Sequence, residues 1–188
     1  ASYRFMRVDR ATGAEVSELE GFEGGGSISR NLDTDVYESA SATCEGGLDV
    51  GADLVRVYLD ADFGGEVERV ALGTFVPSVP KRDVSSEVDR ASVSLQGRLS
   101  ELAEDAFDAP FSLPAGSDPV AEAAAICRAC GLAVSADASA YRLSTAWTFG
   151  LSETSDGEGG SKLRAVNALL GIAGFASAVT DPMGTVLM

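Results

Sequence analysis

The chain has 188 residues, 45% of them apolar, and carries 14 Lys and Arg against 29 Asp and Glu, a formal net charge of −15, with no histidine. That length is enough to bury a real core. The acidic surface it implies repels phosphate backbones and argues against nucleic-acid binding, and the missing histidine excludes every nucleophile–histidine arrangement.

In chain order, the first hundred residues alternate with period two. "GFEGGGS", "NLDTD", "CEGGLDVG" and "DFGGE" carry turn residues between the alternating runs. In "DLVRVYLDAD", Val55, Val57 and Leu59 share one face, and Arg56, Tyr58 and Asp60 share the other. "ERVALGTF" places Val70 and Leu72 on one face, and "DRASVSLQ" sets Ala91, Val93 and Leu95 against Arg90, Ser92, Ser94 and Gln96. Strands of this kind predict an antiparallel sheet, a barrel or sandwich, in the N-terminal half.

The period changes near residue 98. "GRLSELAEDAF" puts Leu99, Leu102 and Ala106 at helical spacing, and the proline-bearing "FDAPFSLPAGSDP" marks an internal boundary. The reading is therefore α+β, with a barrel-like domain and its short terminal helix over 1–108. A smaller mixed helix-and-hairpin region follows over 109–188. Asp118 and Pro119 form a helix start. Val120, Ala123, Cys127 and Cys130 make its stripe, and Gly131 takes the left-handed position after it. "YRLSTAWTF" is expected as a strand, and the acidic stretch Leu151–Gly160 as a mobile loop. Leu163, Val166, Leu169, Leu170 and Ala173 predict a further helix. "FASAVTDPMGTVLM" predicts a closing hairpin with Pro182 and Gly184 in its turn, its second strand stopping with the sequence as if truncated. The longest uncharged run, Ala165 to Thr180, is shorter than the roughly 20 apolar residues a membrane helix needs, and no membrane insertion is expected.

Candidate chemistry is weak throughout. Cys127 and Cys130 lie at the C-terminal end of their helix, where the dipole disfavours a thiolate, and with Cys44 they supply at most three of roughly four zinc ligands. Core packing is the better account of all three cysteines, and their odd number argues against a disulfide framework. Asp60, Asp62 and Glu66, and separately Asp156 and Glu158, look like pieces of calcium loops without the required ligand order. "GGGSIS" has the glycines of a phosphate loop but no following Lys-Ser or Lys-Thr, and is expected as a loop. Carboxylate pairs are possible in so acidic a chain, but Trp147 is the single tryptophan and no aromatic run would hold a sugar beside one. The expectation is no catalytic residue, no cofactor-binding residue, no metal ligand and no cofactor.

The succession "GGGSISRN", "LVRVYLD", "ALGTFVPS", "ASVSLQGRLSEL" and "NALLGIAGFASAVTDPMG", from about Gly24 to Gly184, resembles the minor tail, tail-hub or baseplate-type structural proteins of tailed phages and prophages. The usual Asp of that family's strand-to-helix junction is replaced here by Gln96-Gly97. The resemblance implies sheet strands at Gly73-Thr74-Phe75 and Ala91–Leu95, with Leu99 and Leu102 covering the open end of the sheet. It also implies a non-enzymatic virion tail component, made in the host cytoplasm, that assembles as a homo-oligomeric ring and with other tail proteins, and holds no nucleic acid stably. The alternative is a β-sandwich module binding carbohydrate or a cell surface.

Overall fold

The structure, a computed structural model, describes residues 1–45, 50–78, 81–83, 90–150 and 160–188. The stretch 151–159 of the expected acidic loop, and Asp156 and Glu158 with it, lies outside the described residues. The chain divides into two compact units. The first is Ala1–Arg98 with Pro182–Gly184, and the second is Leu99–Asp181 with Thr185–Met188.

The first unit is one antiparallel sheet. Its strands are β1 (Ser2–Val8), β2 (Glu15–Leu19), β3 (Phe22–Arg30), β4 (Glu38–Glu45), β5 (Leu54–Asp62), β6 (Val67–Pro77), β7 (Lys81–Asp83) and β8 (Arg90–Gly97). They run in the order β2-β1-β5-β6-β8-β4-β3, with β7 also paired to β8. In β8 the alternation seen in sequence is the alternation of burial. Ala91, Val93 and Leu95 are fully buried, and they stand opposite Cys44, Ala42 and Ala40 in register. Val55, Val57 and Phe75 complete the same cluster from β5 and β6, while Ser92 and Ser94 face out.

The sheet is not closed into a barrel, which corrects the barrel-like expectation. β1 pairs with β2 only over Phe5–Val8, and β3 pairs only with β4 among the described residues. The chain passes from β2 to β3 through two residues, Glu20 and Gly21. The covalent backbone therefore spans what hydrogen bonds leave open. A second correction concerns Gly24-Gly25-Gly26, which lies inside β3 and not in a loop. The register slips between Glu23 and Ser27, and a Cβ on Gly26 would stand 2.3 Å from the Ser41 carbonyl oxygen, so the strand crosses too close to β4 for a side chain.

A bulge curls the sheet. Val57 pairs with Gly73 and Tyr58 with Ala71, which leaves Leu72 as the extra residue of β6. Leu72, packed on the cluster, and buried Phe75 then both reach the core although they are three residues apart. Arg30 donates Nη2 to the Leu72 carbonyl at this bulge, and its Nε donates to Glu38 Oε2 at 3.3 Å. The Glu38 side chain is 1% exposed. It occupies space that only glycines leave: a Cβ on Gly97 would lie 2.6 Å from Glu38 Cγ and 2.8 Å from its backbone oxygen. This is the physical reason for glycine at the strand-to-helix junction.

The second unit holds α1 (Ser100–Ala103), β9 (Phe111–Leu113), α2 (Pro119–Ala129), β10 (Val134–Ser135), β11 (Trp147–Phe149), α3 (Lys162–Ile172), β12 (Val179–Thr180) and β13 (Val186–Leu187). Asp118 caps α2 by accepting from Val120 N at 3.0 Å and Ala121 N at 3.1 Å, Pro119 opens the helix, and Gly131 has φ +80°. α2 packs on α3, and Leu163, Val166, Leu169 and Leu170 of the predicted α3 stripe are fully buried. α1 is a single turn that packs on α3, with Leu99 and Leu102 buried. β12 and β13 make the expected hairpin, and β13 also pairs parallel with β10. The strand expected over "YRLSTAWTF" is confined to Trp147–Phe149, because Leu143 gives its backbone N–H to Ser117 and its carbonyl to Gly116 instead of to a ladder. No helix among the described residues is long and apolar enough to cross a membrane.

Leu95→Ala should cost about 2–5 kcal/mol in urea unfolding, whereas Ser94→Ala on the opposite face should stay within about 0.5 kcal/mol. Arg30→Ala, which removes one hydrogen-bond donor from the Glu38 carboxylate and another from the bulge carbonyl, should cost on the order of 2 kcal/mol. Arg30→Lys should recover little of that, since one ammonium cannot serve both acceptors as the guanidinium fork does.

Candidate assembly surface

Two features of the first unit and one of the second carry polar or exposed groups that could meet a partner. On the inner face, the unpaired seam between the start of β1 and β3 opens into a cavity of about 630 Å³, lined mainly by Tyr3, Phe5, Phe22, Ile28, Leu72 and Leu95. Phe5 and Phe22 stack across it with ring centroids 3.9 Å apart, and Ser27 and Ser41 bond to each other at 3.0 Å on its β3–β4 side. The apolar face continues outward. Tyr3 stands opposite Leu59, and Leu59 opposite Val70, so the three form a row on one face, and Tyr3 is 60% exposed. The hairpin beyond it ends in Phe63, 71% exposed.

The other face of β1, β5 and β6 is a ladder of charges. Arg69 Nε donates to Asp60 Oδ1 at 2.7 Å, Arg4 Nε donates to Asp60 Oδ2 at 3.1 Å, and Arg4 also pairs with Glu18. The Arg69 guanidinium lies 5.7 Å from the centre of the Tyr58 ring, and the Tyr58 hydroxyl bonds to Glu15. The hydrogen bonds from Arg69, then Arg4, hold the Asp60 carboxyl below its ordinary value, against the opposing effect of burial. Desolvation, followed by the Glu15 carboxylate, pushes the Tyr58 hydroxyl up. Arg56, buried, donates to Thr74 Oγ1 at 2.9 Å, to Glu15 at 3.3 Å and to the Met183 carbonyl at 3.2 Å.

These contacts account for one of the calcium-like fragments. Asp60 is engaged by two arginines, and Asp62 Oδ1 accepts from the backbone of Gly64 and Gly65 to shape the hairpin turn. Among the described residues, no group of three or more His, Cys, Asp or Glu could hold a metal ion.

In the second unit, Cys127 is buried in the last turn of α2 and Cys130 is its C-terminal cap. Burial pushes the Cys127 thiol up to about 12. Cys130 faces Asp105 and Lys162, a grouping that sequence reasoning missed, since its members are 25 and 57 residues apart from Asp105 along the chain. Nothing in the local pattern around any of them signals the others.

A group whose folded pKa is depressed stabilises the fold above its unfolded value and loses that contribution as the pH falls. The Asp60 ladder should therefore add stability above about pH 4 and lose it as the pH drops through and below 3.8. Denaturation midpoints from pH 7 to pH 2 should show Asp60→Asn with a shallower acid limb than the parent chain.

No family model matches the sequence, and no curated protein does. Solved structures do. The chain is similar to the 43 kDa tail protein of prophage MuSo2 from Shewanella oneidensis, with a TM-score of 0.62 at 13% identity over 100% of this chain and 52% of that one. It is also similar to a tail protein from Neisseria meningitidis MC58, with a TM-score of 0.60 at 14% identity over 100% of this chain and 50% of that one. The chain spans about half the length of each, and at this level of identity what it has in common with that half of these tail proteins is the fold.

Proposed function

We propose that this chain is a non-enzymatic structural component of a phage or prophage tail, positioned at the tail tip, hub or baseplate, where it assembles with copies of itself and with neighbouring tail proteins. One observation carries the reading: the fold is similar along the whole chain to two tail proteins. The chemistry agrees with it. The charges of the β1–β5–β6 face are engaged with one another, in arginine–carboxylate pairs that stiffen a sheet, and are not gathered around a reaction centre. The chain would work in the virion tail after assembly in the host cytoplasm.

A ring of such subunits brings together surfaces that each carry −15. A wall of that charge suits a conduit past which DNA moves without sticking, because basic residues there would hold phosphates. Charge repulsion between exposed groups is screened over roughly 8–10 Å at 0.10–0.15 M salt. Sedimentation across a salt series should therefore show tighter self-association at high salt, and the protein should leave a DNA band unshifted in a gel at low salt. Dissociation on adding salt would mean that complementary charges dominate the joint. Retarded DNA would defeat the conduit reading.

A further inference from the structure

The second unit holds a thiol, an amine and a carboxylate in one place. Asp105 Oδ2 accepts from Cys130 Sγ at 3.5 Å and from Lys162 Nζ at 2.5 Å, so both nucleophilic atoms rest on the same oxygen. All three are fixed by backbone contacts. Cys130 N donates to the Ile126 carbonyl at 3.2 Å, Lys162 N donates to the Asp105 carbonyl at 2.8 Å, and Ser161 caps the helix that Lys162 begins. The group is reachable from solvent: the Asp105 side chain is 43% exposed and that of Lys162 23%, whereas Cys127, one turn away, is fully buried.

We propose that Cys130 and Lys162 form an oxidative modification site, in which peroxide joins the two side chains through one bridging oxygen, Sγ–O–Nζ. In the first step the Cys130 sulfur attacks hydrogen peroxide. An S–O bond forms, the O–O bond breaks, two electrons leave sulfur, and sulfenic acid and water result. The Lys162 ammonium, which its hydrogen bond to Asp105 favours, then gives a proton to solvent and frees its lone pair. A second peroxide accepts two more electrons as the N–O bond forms and one N–H and the sulfenic O–H are lost, releasing two further waters. In sum, one thiol, one amine and two peroxides give the bridge and three waters.

The thiol gains no acidity from its setting, since burial raises it. Capture of the sulfenic acid depends on proximity, the amine being held where the oxidised sulfur forms. This inference stands apart from the tail assignment and survives or fails without it.

The test is peroxide treatment of the folded chain, alkylation of remaining thiols with iodoacetamide, digestion and mass spectrometry. The expected product links the Cys130 and Lys162 peptides, carries one added oxygen and two fewer hydrogens, and is released by dithiothreitol. Lys162→Arg should abolish the link and leave Cys130 overoxidised. Unfolding the parent chain in urea before peroxide should also abolish it, a control that needs no variant to fold. A Cys127–Cys130 disulfide, a direct S–N link, or Cys130 recovered as sulfinic acid or alkylated beside free Lys162 would each overturn the proposal.

Discussion

The first unit depends on how one extra residue in β6 is held. The bulge at Leu72 turns the strand so that Leu72 and Phe75 both reach the core, and Arg30 grips the Leu72 carbonyl from β3 at the far end of the strand order. A guanidinium brought there needs a counter-charge, and Glu38 provides it from a nearly solvent-free position. The carboxylate in turn needs room, which Gly97 leaves by lacking a side chain. Gly73 clears the adjoining space, since a Cβ there would stand 2.5 Å from the Phe75 ring. Curl, charge pair and glycines thus form one linked constraint, in which changing any member disturbs another.

The sheet stays open at the seam where its two ends approach. Hydrogen bonding carries the ladder from β2 round to β3, but among the described residues β1 and β3 share no ladder; Phe5 and Phe22 stack between them, and the apolar inner face opens into the cavity. The glycine-rich part of β3 brings that strand tight against β4, where it contributes backbone and no side-chain volume to fill the seam. An open seam and a paired, charged outer face give the unit two chemically distinct surfaces.

Parts of this were legible in the residues and parts were not. The period-two run identified the buried face of β8, because burial on one side of a strand must alternate, whereas in β5 Arg56 and Asp60 on the polar face are buried as well. The ends of α2 were equally readable, since Asp118, Pro119 and Gly131 each act on their own backbone neighbourhood. Gly24–Gly26 misled because glycine marks close approach inside a strand as well as a turn, and only the Ser41 carbonyl tells which applies. The Arg30–Glu38 pair and the Cys130–Asp105–Lys162 group were invisible for a different reason. They are made by chain segments whose meeting is decided by topology, and no spacing rule connects them.

Arg56 has a consequence for the order of events during synthesis. Its partner carbonyl on Met183 lies 127 residues downstream, and Thr74 donates to the Pro182 carbonyl 108 residues downstream. The sheet can pair as soon as β8 leaves the ribosome, but its compact unit includes Pro182–Gly184, so two of its polar groups wait for the second unit's sequence to be translated. At roughly 5–20 residues per second, that is a delay of several seconds. During that interval the Arg56 guanidinium of the nascent sheet has part of its acceptor set still unmade, and water stands in until the hairpin tip arrives.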